Sequence, residues 1–386
     1  MMGADRWLAA LIVLALLVWL AQQTRVPDET LEAIELPQVL GAPDSGERFE
    51  RITGPQPLSF PADHASHDGY RNEWWYFTGR IDGPEGRSFG FQFTLFRFNL
   101  GPLPPVASAW SSSQLWMAHL ALSDLDEQRF STAERFARGA LGLAGATAER
   151  WWLDDWQVTT QDEGWLLRAS TSTFDIDLEL RPDRPLVLQG LDGYSQKGPA
   201  PGQASRYYAH TRLRAEGRVR TRDWSGPVTG LAWLDREWGS GQLDEGLQGW
   251  DWFALHLDDG RDLMLYRLRH HDGTMSPFSA GALVDPSGGR IGLSSEDFSA
   301  EAVEYWRDER GIDWPIAWRL QVPGADLDLS VRAVFPDQLW RESIRYWEGA
   351  VDAQDRRSRL LIGRGYMELS GYGNAALRGQ RQGSTE

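Results

Sequence analysis

Beyond residue 55 the chain reads as strand after strand. Phe174-Asp-Ile-Asp-Leu-Glu-Leu180 and Leu327-Asp-Leu-Ser-Val-Arg-Ala333 alternate apolar and polar residues without a break, the period-2 signature of a half-buried strand. Phe89-Gly-Phe-Gln-Phe-Thr-Leu95 alternates too, and its second face carries Gly90, Gln92 and Thr94. Turn-forming pairs punctuate the runs: Asp82-Gly83, Glu163-Gly164, Asp259-Gly260, Asp272-Gly273, Gly288-Gly289 and Pro323-Gly324. No series of amphipathic helices separates the strands, so the pattern predicts antiparallel sandwiches or barrels rather than βαβ units. One helix is expected at Ser131 to Ala140, where Ser131 and Glu134 have the spacing of a capping box.

A short internal repeat is visible. When Asp82-Gly83 is laid on Asp259-Gly260, Trp75-Tyr76 falls on Trp252-Phe253. Each hairpin then continues into an apolar strand ending in arginine, Phe93-Thr-Leu-Phe-Arg97 and Leu263-Met-Leu-Tyr-Arg267. This predicts two similar β-domains, 56–222 and 223–373, and a disordered tail at 374–386. Ahead of them, Trp7 to Ala21 form a 15-residue apolar run, at the edge between a signal peptide and a membrane anchor. Residues 22–55 are polar and acidic and read as a flexible tether. Export is expected, either to the periplasm or held at the inner membrane by residues 7–21.

Composition narrows the function. Of 386 residues, 55 are acidic and 39 basic, giving a formal charge of −16. The one lysine is Lys197, so nearly all the positive charge is arginine. Without a basic cluster, nucleic-acid binding is not expected. The absence of cysteine excludes disulfides, thiolate metal sites and cysteine nucleophiles. The 7 histidines are scattered, no pair has a zinc-binding helical spacing, and neither a metal nor a cofactor is expected. His119 and His256 sit in alternating strands and read as hydrogen-bonded core residues. Gly239-Ser240-Gly241 lacks the first glycine of a nucleophile elbow, which argues against a serine hydrolase.

The unusual chemistry lies in aromatic-acidic segments: Gly69 to Gly79, Ser205-Arg-Tyr-Tyr-Ala-His210, Leu231 to Ser240, and Gly249-Trp-Asp-Trp-Phe253. On an extended strand, Trp233, Asp235 and Glu237 share one face, and Leu234, Arg236 and Trp238 share the other. An acid buried against indole rings has a raised pKa and becomes a general acid near neutral pH. The competing reading is structural: Arg206, Arg236 or Arg267 pairs with Asp235 or Glu237, and the tryptophans are core.

Asn72-Glu-Trp-Trp-Tyr-Phe-Thr-Gly79, Trp233-Leu-Asp-Arg-Glu-Trp-Gly239, Gly249-Trp-Asp-Trp-Phe253, Tyr346-Trp-Glu-Gly349 and Gly365-Tyr-Met-Glu-Leu-Ser-Gly371 resemble the AttH-type, lipocalin-like family. That family is grouped with the carotenoid 1,2-hydratases. The resemblance spans about residues 56 to 373. It implies an all-β fold: two tandem antiparallel lipocalin-like β-barrels, here preceded by an N-terminal hydrophobic helix. It also implies an exported bacterial protein that works with an ABC transporter permease acting on lipids or lipoproteins. The related hydratases add water across a terminal isoprenoid double bond, with an Asp as proton donor. By position that Asp resembles Asp235. Trp233 stands where the hydratases have Tyr, and Arg206 and Tyr208 stand where they have His and Trp.

Two functions are therefore expected. The first is binding of a hydrophobic small molecule, a lipid or isoprenoid, by Glu73, Trp75, Trp238, Trp250, Trp252 and Tyr266. The alternative is a hydratase or isomerase with Asp235 as acid, supported by Trp233, Tyr208, Arg206 and Glu237. Expression of the full chain in a bacterial host is expected to place it outside the cytoplasm. Fractionation followed by sequencing of the mature N-terminus checks this, and a wholly cytoplasmic product overturns it.

Overall fold

The computed structural model describes residues 34–35, 49–101, 108, 111–241 and 246–373. The hydrophobic segment 7–21, most of the tether and the 374–386 tail lie outside the described residues. The described chain is almost entirely strand, arranged as two antiparallel sheets, the first a nearly closed barrel and the second a half-barrel.

In each sheet the opening strand pairs with the closing one, as a meander does when it curls back on itself. In the first, Asn72–Asp82 lies between Ser88–Asn99 and Ser225–Gly239. In the second, Leu247–Leu257 lies between Asp262–His270 and Leu361–Leu369. The sheets therefore meet in the chain between residues 239 and 247. The boundary expected at 222/223 falls inside the first sheet, because Ser225–Gly239 pairs along its length with both Asn72–Asp82 and Ala204–Arg220. Two parts of the expected tether also join the fold. Ile34–Glu35 pairs in parallel with Ile344 and Arg345, and Ile52 is buried beside Tyr208 and Trp238.

The expected helix at 131–140 is instead a strand, Arg129–Arg138, paired residue by residue with Gln114–Asp124. Local capping chemistry loses to this pairing. Glu134 lies opposite His119, its carboxylate 3.0 Å from the imidazole Nε2, and does not close a helix turn.

Inside each sheet the inward face is filled by the protein's own side chains. Trp75, Phe77, Phe91, Phe93, Trp151 and Leu178 belong to the core of the first, and Phe253, Leu255, Trp314, Trp318 and Trp347 to that of the second. The inward faces are thus largely packed, and a cavity of about 270 Å³ opens at the second core beside Leu283, Leu293 and Val322.

The outward faces pack on each other. Tyr76, Tyr207 and Trp233 of the first sheet meet Trp252, Met264 and Tyr366 of the second. Phe96 and Met117 meet Trp340 and Tyr346. Hydrogen bonds cross the seam: the Ser123 hydroxyl donates to Gln338 at 2.8 Å, Arg80 donates to the Val351 carbonyl at 3.1 Å, and Thr211 donates to Asp262 at 2.9 Å. The polar face of Phe89 to Leu95 lies here. At Gly90 the sheets come so close that a Cβ would stand 3.0 Å from the Ala350 Cβ and 3.1 Å from the Tyr366 ring.

The repeat is real but shifted by one residue. Glu73 faces Arg97 across its hairpin, and Asp251 faces Arg267 across the other. Each acid is fully buried and takes a second arginine, Arg236 for Glu73 and Arg269 for Asp251. Glu73 thus matches Asp251, and Trp75 matches Phe253 rather than Trp252. This matters for the site, because the shift decides which aromatic residues point inward and which reach the seam.

Gly90→Val should overpack the seam and destabilise the protein by about 1–3 kcal/mol. The expected readout is a lower urea midpoint with an unchanged slope; an unaltered midpoint would mean that the sheets part there at no cost.

Candidate functional site

The alternation along Ser225–Gly239 places Asp235 and Glu237 on the outward face, in the seam. They line a cavity of about 90 Å³ together with Trp74, Tyr76 and Tyr207 from the first sheet and Trp250, Trp252, Tyr266 and Glu368 from the second. A single water needs on the order of 10–15 Å³, so the space admits several waters or part of a small molecule. Both sheets build the walls, and neither could form the site alone.

Asp235 is 3% exposed and makes no ion pair with any described residue. Its Oδ2 accepts from the Tyr207 hydroxyl at 2.5 Å and its Oδ1 from the Trp233 indole at 2.7 Å. Burial raises its pKa to about 7 against the pull of these two donors, and Glu237 nearby adds to the rise. Glu368 behaves alike. Burial raises it to about 7, while the Trp250 indole donates to it at 2.6 Å.

Glu237 has a different environment. It accepts from the Ser205 hydroxyl, and the ammonium of Lys197 lies 3.4 Å away. Burial opposes the charge on Lys197, but Glu237 and Tyr266 outweigh it and hold its pKa above the ordinary lysine value. The same ammonium sits 3.8 Å from the Tyr266 ring centroid. The cavity therefore combines two carboxyls poised near neutral pH with one charged pair. Its aromatic walls also suit a cation forming beside them.

Of the residues singled out from sequence, Asp235, Glu237, Trp250, Trp252 and Tyr266 line this cavity, and Trp233 holds Asp235 from behind. The others lie elsewhere. Tyr208 and Arg206 point to the opposite face of their strand, where the Tyr208 hydroxyl meets His64 Nδ1 at 2.6 Å. The seam residue is their neighbour Tyr207, a one-place offset that moves a side chain across the sheet. Glu73 is bound by Arg97 and Arg236, and those arginines with His67 hold its pKa well below the usual carboxylate range despite burial. Trp75 packs in the first core under the Arg236 guanidinium, and Trp238 stacks on His67. None of these three lines the seam cavity.

The competing reading, an arginine on Asp235 or Glu237, is not what forms. Arg236 is taken by Glu73 and Arg267 by Asp251. His119 and His256 are hydrogen-bonded and buried, as expected. Among the described residues no group of three or more His, Asp or Glu is placed to hold a metal.

Sequence reasoning missed Trp74, Tyr76, Tyr207, Lys197 and Glu368. Glu368 carried a usable signal as the one charge in Gly365-Tyr-Met-Glu-Leu-Ser-Gly371. Tyr207 carried none, because its place opposite Glu237 comes from the strand register and not from the sequence.

Comparison with known proteins agrees with this architecture. A model of the AttH-like family matches residues 51–372. No curated protein matches. The crystal structure of a protein assigned as AttH from Nitrosomonas europaea is 34% identical, with a TM-score of 0.76 over 84% of this chain and 100% of that one. Kievitone hydratase from Nectria haematococca shares the fold at 12% identity, with a TM-score of 0.60 over 85% of this chain and 99% of that one. CghA, solved with Sch210972, shares it at 12% identity and a TM-score of 0.52, over 88% of this chain and 98% of that one. With its family model covering both sheets, the chain belongs to the AttH-like family.

Proposed function

We propose that the seam cavity binds an unsaturated hydrophobic molecule and adds water to it, with Asp235 as general acid. The observation that carries this reading is a buried carboxyl, without an arginine partner among the described residues, poised near pH 7 and facing an aromatic cavity. The hydratase fold of kievitone hydratase and the resemblance to carotenoid 1,2-hydratases support it. The resemblance also supports action outside the cytoplasm beside an ABC transporter permease.

The step balances as follows. Protonated Asp235 gives its proton to one alkene carbon, forming a C–H bond and leaving a cation on the other. Trp252 and Tyr76 stand around that position. Water adds to the cation, and the resulting oxonium loses its proton to a carboxylate, for which Glu237 beside Lys197 is suited. Glu237 then releases that proton to solvent and Asp235 takes one up from solvent, which restores both groups.

A second reading, carriage of the ligand without turnover, is favoured by the apolar part of the lining, with Trp74, Phe96, Trp250 and Leu268. One experiment separates the two. The protein is incubated with a panel of acyclic isoprenoid alkenes in heavy-oxygen water, and products and bound lipid are read by mass spectrometry. Hydration predicts label in a product and a loss of at least about 10²-fold in rate for Asp235→Asn, with ligand still retained. Retention without label leaves only carriage, and labelled product formed at an unchanged rate in the variant removes Asp235 as the acid.

The raised pKa also fixes a stability effect. Asp235 is protonated in both folded and unfolded chains below about pH 4. Between there and about pH 7 the folded chain holds the extra proton, so rising pH penalises the folded state until that proton is lost. Asp235→Asn is therefore expected to gain stability over the natural protein as pH rises from 5 to 8. A pKa unit corresponds to about 1.4 kcal/mol, which sets the gain at a few kcal/mol at most. Urea titrations at the two pH values measure it, and a gap that stays constant would contradict it.

A further inference from the structure

A second cavity, of about 270 Å³, adjoins the first, and Tyr266 lines both. The segment between the Asp175–Pro182 strand and Lys197 runs beside the first half of Ala204–Arg220, pairing Val187 with Ala209 and Tyr194 with Arg206. This strap delivers Lys197 to the first cavity and Gln189 to the second. Its Ser195 hydroxyl lies 3.1 Å from the hydroxyl of Tyr266, the residue common to both linings.

Two residues of the second cavity carry buried polar atoms with no partner among the described residues. Gln189 is 1% exposed, and neither its Oε1 nor its Nε2 makes a hydrogen bond. Arg290 has a buried Nε without a partner and makes no ion pair with a described residue; Asp192 and Tyr266 are the groups whose charge it feels. Its guanidinium lies over Gly292, with Nη2 3.1 Å from where a Cβ would stand. A side chain at position 292 would take the arginine's place. Buried polar groups in native proteins are normally satisfied, and a planar guanidinium beside a primary amide is matched to an oxyanion.

We infer that the two cavities form one site for an amphipathic ligand, whose carboxylate or phosphate headgroup binds Gln189 and Arg290 while its apolar chain passes Tyr266 toward Asp235. The apolar end rests on the reading of the seam cavity given above; the headgroup end stands on Gln189 and Arg290 alone.

The test uses the full chain and three probes of equal chain length: oleate, oleyl phosphate and oleyl alcohol, titrated against tryptophan fluorescence. At least one anion is expected to bind tenfold or more tightly than the alcohol, and the better anion identifies the headgroup as carboxylate or phosphate. Arg290→Gln and Gly292→Val should bring the anions to the level of the alcohol without changing the alcohol. Gln189→Leu should weaken the anions and at the same time raise the urea midpoint, since it removes two unpaired polar atoms; a merely structural glutamine would not do both. Asp235→Asn should keep the anion preference, so failure of the hydration reading is distinguishable from failure of this one. Equal affinity for the three probes, no binding of any, or an anion preference that survives Arg290→Gln overturns the inference.

Discussion

The seam between the two sheets leaves neither sheet a solvated face where they meet, so strands that reach it must be satisfied on both sides. A lipocalin-like meander ordinarily keeps one face for its core and one for water. Here the inward faces are filled by Trp, Phe and Leu, and the outward faces of the opening and closing strands lie against another sheet. That explains why Trp74-Trp75-Tyr76-Phe77 is apolar throughout rather than alternating, with Trp75 and Phe77 in the core and Tyr76 in the seam. It also explains Gly90, where the approach of the sheets leaves no room for a side chain.

Burial on both sides sorts the acidic residues into two kinds. Glu73 and Asp251 each sit in equivalent positions between two arginines. Removing one partner from such a group strands a charge, which makes these clusters rigid fixtures of each sheet. Asp235, Glu368 and Glu348 are buried without an arginine. Burial raises the pKa of each, and their hydrogen bonds come from Tyr and Trp, Glu348 accepting from Tyr76. Carboxyls of the first kind hold the sheets in register. Those of the second kind are pushed above the usual carboxylate range by burial and lie where the two sheets meet.

The fold was legible because period-2 alternation and turn pairs survive in most strands, and because the hairpin repeat marks the opening strand of each sheet. The helix expected at 131–140 failed where capping signals were read without the strand that pairs with them. The site was legible in part. The face shared by Trp233, Asp235 and Glu237 follows from alternation alone, and it holds. Which face was inward did not follow, because both are apolar, so Trp75 and Trp238 were placed with the ligand although they belong to the first barrel. Tyr208 was preferred to Tyr207 by position in a resembling family, whereas the ladder partner of Glu237 identifies Tyr207.

The packing of the first barrel's core has a consequence for where chemistry can occur. A close-packed interior has no room for a ligand without unfolding part of it, but a seam between two preformed sheets can keep a gap wherever opposing side chains fail to meet. The strap from Val187 to Lys197 lies along that gap and brings the chain's single lysine into it. An ammonium there costs solvation that a surface lysine would not, and Glu237 with the Tyr266 ring offsets the cost. Arginine supplies nearly every other positive charge in the protein, and it is the better partner for a fixed carboxylate pair. The compact point charge of lysine, placed between Glu237 and an aromatic ring, makes no ion pair with Asp235; burial raises that carboxyl's pKa against the pull of Tyr207, Trp233 and Lys197.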